Sequence, residues 1–115
     1  MIFSYFDIDD GVIYINDKKI DLPFPVAEAL EYEQSIIVRV DPPAKQIFNS
    51  NIYRFALSGN CLWQIEPSPH GTQANRPYVS IYTSFYNSLV AGNWNGVDYI
   101  VNIEDGSVKV KSFKK

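Results

Sequence analysis

The chain is poor in the residues that make metal centres, disulfides and general bases: among 115 residues there is one cysteine, Cys61, and one histidine, His70. Without a second cysteine no internal disulfide can form, so the fold does not depend on an oxidising compartment and a cytosolic protein is expected. A lone Cys and a lone His cannot build a tetrahedral zinc site. Asp7, Asp9 and Asp10 are not followed by a glycine-containing loop closed by Glu, so calcium is not implied. No glycine-rich phosphate loop opens a helix, and no apolar run approaches the roughly 18 residues of a membrane helix. The first residues, from Met1 to Asp7, have neither a basic start nor a long apolar stretch, and no secretory signal is expected. His70 lies between Pro69 and Gly71, remote in sequence from any patterned nucleophile or base. These absences predict no catalytic residues, no metal and no cofactor.

What the chain has is aromatic and β-branched residues. Eight Tyr, seven Phe and two Trp accompany many Ile and Val, a composition suited to pleated, half-buried surfaces. Short runs of this kind recur between turn signals: Ile2 to Ile8, Val12 to Ile15, Ser35 to Val40, Asn51 to Leu57, Cys61 to Ile65, Tyr78 to Tyr86, Leu89 to Trp94, Val97 to Ile103 and Ser107 to Phe113. Asp9-Asp10-Gly11 signals a tight hairpin, and Asn95-Gly96 and Asp105-Gly106 are type I′ signals. Asn16 to Lys19 reads as a turn and Pro23-Phe24-Pro25 as an extended connector. The segment from Val26 to Gln34 contains good helix formers, yet Val26, Leu30 and Tyr32 also fit a period of two and the next strand follows closely; a strand is the preferred reading. Cys61, within a strand, is expected to be buried and inert. Glu66 to Pro77 is rich in turn formers and forms an exposed loop long enough to be a binding element.

Three hairpins align on Gly11, Gly59 and Gly106, with spacings close to those of propeller blades. Two blades can be drawn, residues 26–65 and 78–113, with the first hairpin supplying part of another. The prediction for residues 1–115 is a single all-β domain of antiparallel meander hairpins, arranged as an open, half-propeller-like stack of two to three blade-like sheets. A plain twisted sandwich or meander is the competing reading.

Charge is unevenly spread. Residues 1–41 carry nine acids against Lys18, Lys19 and Arg39, a net of −6, whereas the remainder carries four acids and seven bases, a net of +3. An acidic first third repels phosphate and attracts a basic partner, which argues against direct nucleic-acid binding and against a membrane surface. The candidate partner-binding residues are therefore Asp7, Asp9, Asp10, Asp21, Glu28, Glu31 and Glu33 for charge. Tyr32, Trp94 and Tyr99 are candidate aromatic anchors, and His70, Asn75 and Arg76 form a second patch on the long loop.

The order Leu22-Pro23-Phe24-Pro25, Val38-Arg39-Val40-Asp41-Pro42-Pro43, Asn51-Ile52-Tyr53-Arg54-Phe55 and Gly59-Asn60-Cys61-Leu62-Trp63-Gln64-Ile65-Glu66 continues through Pro77-Tyr78, Leu89-Val90-Ala91 and Trp94-Asn95-Gly96-Val97-Asp98-Tyr99. In this order the chain resembles a group of small bacterial orphan proteins of half-propeller type, some of them similar to immunity proteins of contact-dependent growth inhibition systems. The Gly-x-x-Leu-Trp-Gln piece also resembles blades of pyrroloquinoline-quinone-type propellers. The resemblance implies a cytosolic protein that binds one cognate toxin domain, often a nuclease, and blocks its active site. The longer polar loop after Trp63 and the shorter middle hairpin turn depart from that pattern, so no contact residue is carried over from it. A structural module that self-associates weakly, or pairs with a partner through exposed strand edges, is the alternative.

Overall fold

The structure, a computed structural model, describes residues 5–69 and 75–113, and among these the side chains of all but Ser112 and Phe113. Alternation of apolar and polar residues produces strands, and nothing helical among the described residues. The first sheet is a meander of β1 (Phe6–Asp9), β2 (Val12–Ile15) and β3 (Lys18–Ile20). The second contains β4 (Val26–Tyr32), β5 (Ser35–Val40), β6 (Ile52–Ala56) and β7 (Cys61–Gln64), and the third β8 (Tyr78–Thr83), β9 (Leu89–Asn93), β10 (Val97–Val101) and β11 (Val108–Phe113). All pairings are antiparallel, and the sheets do not close into a barrel. The all-β, open, blade-like stack expected from the sequence is what forms, with the two four-stranded units where the repeat placed them. No helix among the described residues is long and apolar enough to cross a membrane.

One expectation is corrected in the first sheet: residues 16–19 are not wholly turn. Asn16 and Asp17 both take positive φ and make a two-residue turn, after which Lys18–Ile20 pairs with β2, Ile20 opposite Ile13. A three-residue strand with two lysines carries too short an alternation to be seen in sequence. The segment from Val26 is a strand, as preferred, and its turn at Glu33 and Gln34 again has positive φ at both central residues. The turns at Asn95-Gly96 and Asp105-Gly106 are not type I′, because only the glycine of each is left-handed; each closes a longer turn, with Gly96 N–H donating to Asn93 O and Gly106 N–H to Asn102 O.

The second sheet is the middle layer, and its sequence shows it. In β5 the run Ile36-Ile37-Val38 is buried throughout, Ile36, Val38 and Val40 packing with Ile13, Ile15, Ile20 and Phe55 of the first interface, and Ile37 packing with Ile52, Trp63, Ile81, Leu89 and Tyr99 of the second. A strand apolar on both faces needs cover on both; each buried Ile contributes about 1.5–3 kcal/mol of transfer free energy. The first sheet alternates instead: Phe6, Ile8, Ile13 and Ile15 point inward while Asp7, Asp9 and Tyr14 point out; in the third sheet β9 is buried along its whole length.

Two devices fix how the sheets stack. Asn51, fully buried, donates from Nδ2 to Val40 O (3.0 Å) and Tyr78 O (2.9 Å) and accepts from Tyr78 N–H (2.9 Å), tying the second sheet to the third. In addition, the turn between the third and fourth strand of each four-stranded sheet seats a left-handed glycine on the outermost strand of the sheet before. A Cβ on Gly59 would come within 3.0 Å of the Lys18 side chain, and one on Gly106 within 2.7 Å of the Trp63 ring. Gly59 and Gly106 are thus true equivalents. Gly11, aligned with them by sequence, lies instead between the first two strands of its sheet, where its carbonyl accepts the Val26 N–H. The first sheet therefore corresponds to a four-stranded unit without its innermost strand.

Candidate functional site

Alternate turns of the meander gather at one end of the stack, and four side chains stitch them together. Asn16 Nδ2 donates to Leu57 O (2.9 Å), joining the β2–β3 and β6–β7 turns. Arg54 donates from Nε to Ser35 Oγ (2.7 Å), from Nη2 to Glu33 O (3.3 Å) and from Nη1 to Ile103 O (3.0 Å), joining the β4–β5 and β10–β11 turns. Trp63 Nε1 shares that Ile103 acceptor (2.7 Å). Tyr32 Oη donates to Asn87 O (2.7 Å), fastening the β8–β9 turn to the same group. Turns on a rigid scaffold are where binding surfaces are usually built.

From this fastened end two aromatics project almost fully into solvent: Phe85, 94% exposed, and Tyr86, 85% exposed, edge to face at 5.3 Å. Their turn is closed by Asn87 N–H to Ser84 O and by Ser88 N–H to Ser84 Oγ, with Asn87 left-handed. Exposed Glu31, Glu33, Glu104 and Asp105 share the end. Asp105 is held below the usual carboxylate range by the Ser107 N–H and hydroxyl, which favour its charged form. Arg54 at this end is turned inward onto carbonyls and a hydroxyl, so its charge is not presented beside these acids.

The opposite end holds a groove of about 760 Å³ walled by Pro25, Pro42, Pro43, Ala44, Arg76 and Trp94. Trp94 is 63% exposed and the Arg76 guanidinium lies 5.2 Å from its ring centroid, a cation–π contact. Asn75 donates to Ala44 O (2.7 Å), and Asn49 Oδ1 accepts the Arg76 N–H (2.8 Å).

A family model described as a domain of unknown function, DUF7957, matches residues 3–113. The chain belongs to this family. No curated protein and no solved structure matches.

In this DUF7957 chain the sequence-predicted residues separate into distinct groups. Asp7 and Asp9 face outward from β1, Asp10 lies in the following turn and Asp21 just beyond β3, all exposed and none in an ion pair among the described residues. Glu31 and Glu33 are exposed at the stitched end. Glu28 does not join them: three residues before Glu31 in an unbroken register, it lies on the opposite face of β4, partly buried and paired with Arg39 at 2.6 Å. Tyr32 is not a free anchor either, since its hydroxyl is committed to Asn87. Tyr99 is withdrawn from the surface altogether: it is 0% exposed, packed edge to face with Tyr78 at 6.2 Å and hydrogen-bonded to Ser68. Trp94, Asn75 and Arg76 do come together at the groove; His70 lies outside the described residues.

Cys61 is exposed, not buried. The irregularity between Arg54 and Phe55 in the β6–β7 pairing shifts it off the inward row that Trp63 occupies. Desolvation raises its pKa, outweighing its bond to the Trp63 carbonyl, so the thiolate is disfavoured. Sequence reasoning missed Phe85 and Tyr86 because they extend an aromatic run that reads as strand; the signal present was the bracket of Ser84 and Asn87-Ser88, turn formers on either side of them.

Proposed function

We propose that the protein is a non-catalytic, cytosolic inhibitor of the immunity type, which binds a basic nuclease toxin domain and covers its active site. The observation that carries this reading is the stitched end: a pre-organised acidic surface with two solvent-exposed aromatics at its edge. Aromatic residues that bury large area at small entropic cost dominate interface hot spots, and acidic surroundings accelerate encounter with a basic partner. The β4–β5 turn supports the reading further. Its central residues are Glu33 and Gln34, both left-handed, where Asn-Gly is the favoured filling. Backbone strain of this kind costs roughly 1–2 kcal/mol per residue and concentrates at functional sites. The outward acids Asp7, Asp9, Asp10 and Asp21 add to the long-range field.

The test is inhibition of a basic nuclease domain encoded beside this chain, measured with purified proteins. Replacing Phe85 and Tyr86 with Ala should weaken inhibition about thirtyfold. The Glu31→Lys, Glu33→Lys double variant should slow association and flatten its salt dependence. Full inhibition by both variants would refute the assignment of this surface, and a neighbouring nuclease untouched by the native protein would refute the function itself.

A further inference from the structure

The seating contact of the fold occurs twice within the chain. Gly59, in the turn between the third and fourth strands of the second sheet, sits on β3, and Gly106, in the matching turn of the third sheet, sits on β7. If the first sheet is a unit lacking its innermost strand, its matching turn is Asn16–Asp17 between β2 and β3, and among the described residues this turn has no sheet to sit on. At the other end of the stack β11 is an outermost strand on which no turn of the described residues sits. Each end of the stack thus carries half of the same contact.

We infer that two copies of the chain supply these halves to each other: the Asn16–Asp17 turn of one copy seats on β11 of its partner, and the reciprocal contact closes a ring of six sheets. The charges fit this pairing. Asp17 is exposed at the tip of its turn, and Lys109 and Lys111 are exposed on β11. Lys109 points away from the core, opposite Ile100, on the face where half-buried Ile100 and Tyr82 flank Val90, itself fully buried. On the first sheet the outward row is Asp7, Tyr14 and Lys19. Asp17 set against Lys109 and Lys111 favours a head-to-tail approach over a head-to-head one, which would bring like charges together. Six sheets fall within the four to eight blades of closed propellers, and a reciprocal two-fold contact ends the assembly at two copies.

Sedimentation velocity on the full chain at low and moderate salt tests this directly. The native protein should form a concentration-dependent dimer that weakens with salt. Asp17→Lys, and separately Lys109→Glu with Lys111→Glu, should each weaken self-association about a hundredfold by setting like charges against each other, with unchanged far-ultraviolet circular dichroism. Mixing the two variants should restore a dimer, because each then offers the other complementary charges at both contacts. A native protein that stays monomeric at low salt, variants that dimerise like the native chain, or a mixture that stays monomeric would each overturn the inference. The seating residues lie apart from Phe85 and Tyr86, so dimer-deficient variants that still inhibit the nuclease would separate this inference from the proposed function.

Discussion

The second and third sheets are built on one plan and differ in what each turn of the plan is used for. In the second, the first turn is the strained pair Glu33–Gln34, the second is the long proline-bearing connection after β5, and the third is the glycine turn on Lys18. In the third sheet the corresponding turns are the aromatic-bearing Ser84–Ser88, the tight turn at Trp94–Gly96 and the glycine turn on Trp63. Strand order and seating are kept while turn content varies, so the strands carry the stability and the turns are free to differ; on the proposed function they carry recognition. The layers also differ in cover: the second sheet is enclosed on both faces and the third on one.

That difference in cover predicts the largest contrast. Ile37→Ala should cost about 3–4 kcal/mol in denaturant unfolding, in the range for fully buried Ile. Ile100→Ala, on the uncovered face of the third sheet, should cost about 1 kcal/mol in the monomer, where less apolar area is lost. Equal losses would mean that the third sheet is enclosed as fully as the second. Next come the equivalent glycines. Gly106→Ala meets both a left-handed backbone and the rigid Trp63 ring and should cost about 3 kcal/mol. Gly59→Ala meets the same backbone penalty but only a lysine stem that can move aside, so about 1–2 kcal/mol is expected; the reverse order would break the equivalence of the two seats.

A smaller effect of opposite sign separates the two first turns. Replacing Glu33-Gln34 by Asn-Gly should stabilise the fold by about 1–2 kcal/mol while weakening binding of the basic partner; no gain in the denaturation midpoint would show that the turn stores no strain. The smallest effect distinguishes the third turns, because Asp105 has no acidic counterpart at Ser58. Its folded pKa is depressed, so its contribution is fully present above the ordinary carboxylate pKa of about 3.9 and is lost as pH falls through the lower folded value. Nuclear magnetic resonance titration of Asp105 should give a midpoint below the ordinary one in the native protein and an ordinary one in Ser107→Ala.

Much of the fold was legible because alternation, turn residues and the 47-residue spacing of Gly59 and Gly106 agree with one another. The unbroken apolar run Ile36-Ile37-Val38 fits the enclosure of its strand in the middle sheet. The surface was less legible. Tyr99 and Trp94 are both aromatic residues flanking the same turn, yet one is sealed against Ser68 and Tyr78 and the other lies against Arg76 in the open; only long-range packing decides between them. Glu28 was separated from Glu31 by plain alternation, an odd spacing along β4 that puts them on opposite faces, and its pairing with Arg39 on the neighbouring strand is a contact that no composition signal marks. Phe85 and Tyr86 were hidden by their own type, since aromatic residues beside a strand are more readily assigned to the interior than to a turn.

Asn51 carries a consequence of another kind. Apolar layers pressed together have many nearly equivalent offsets, and Ile, Leu and Val surfaces alone discriminate poorly among them. A single amide with both of its hydrogens and its oxygen engaged is satisfied in one alignment only. Losing it would therefore cost uniqueness before it cost compactness, leaving a molecule still dense but free to slide between settings, and it is that singular alignment which keeps the distant loops pointing the same way.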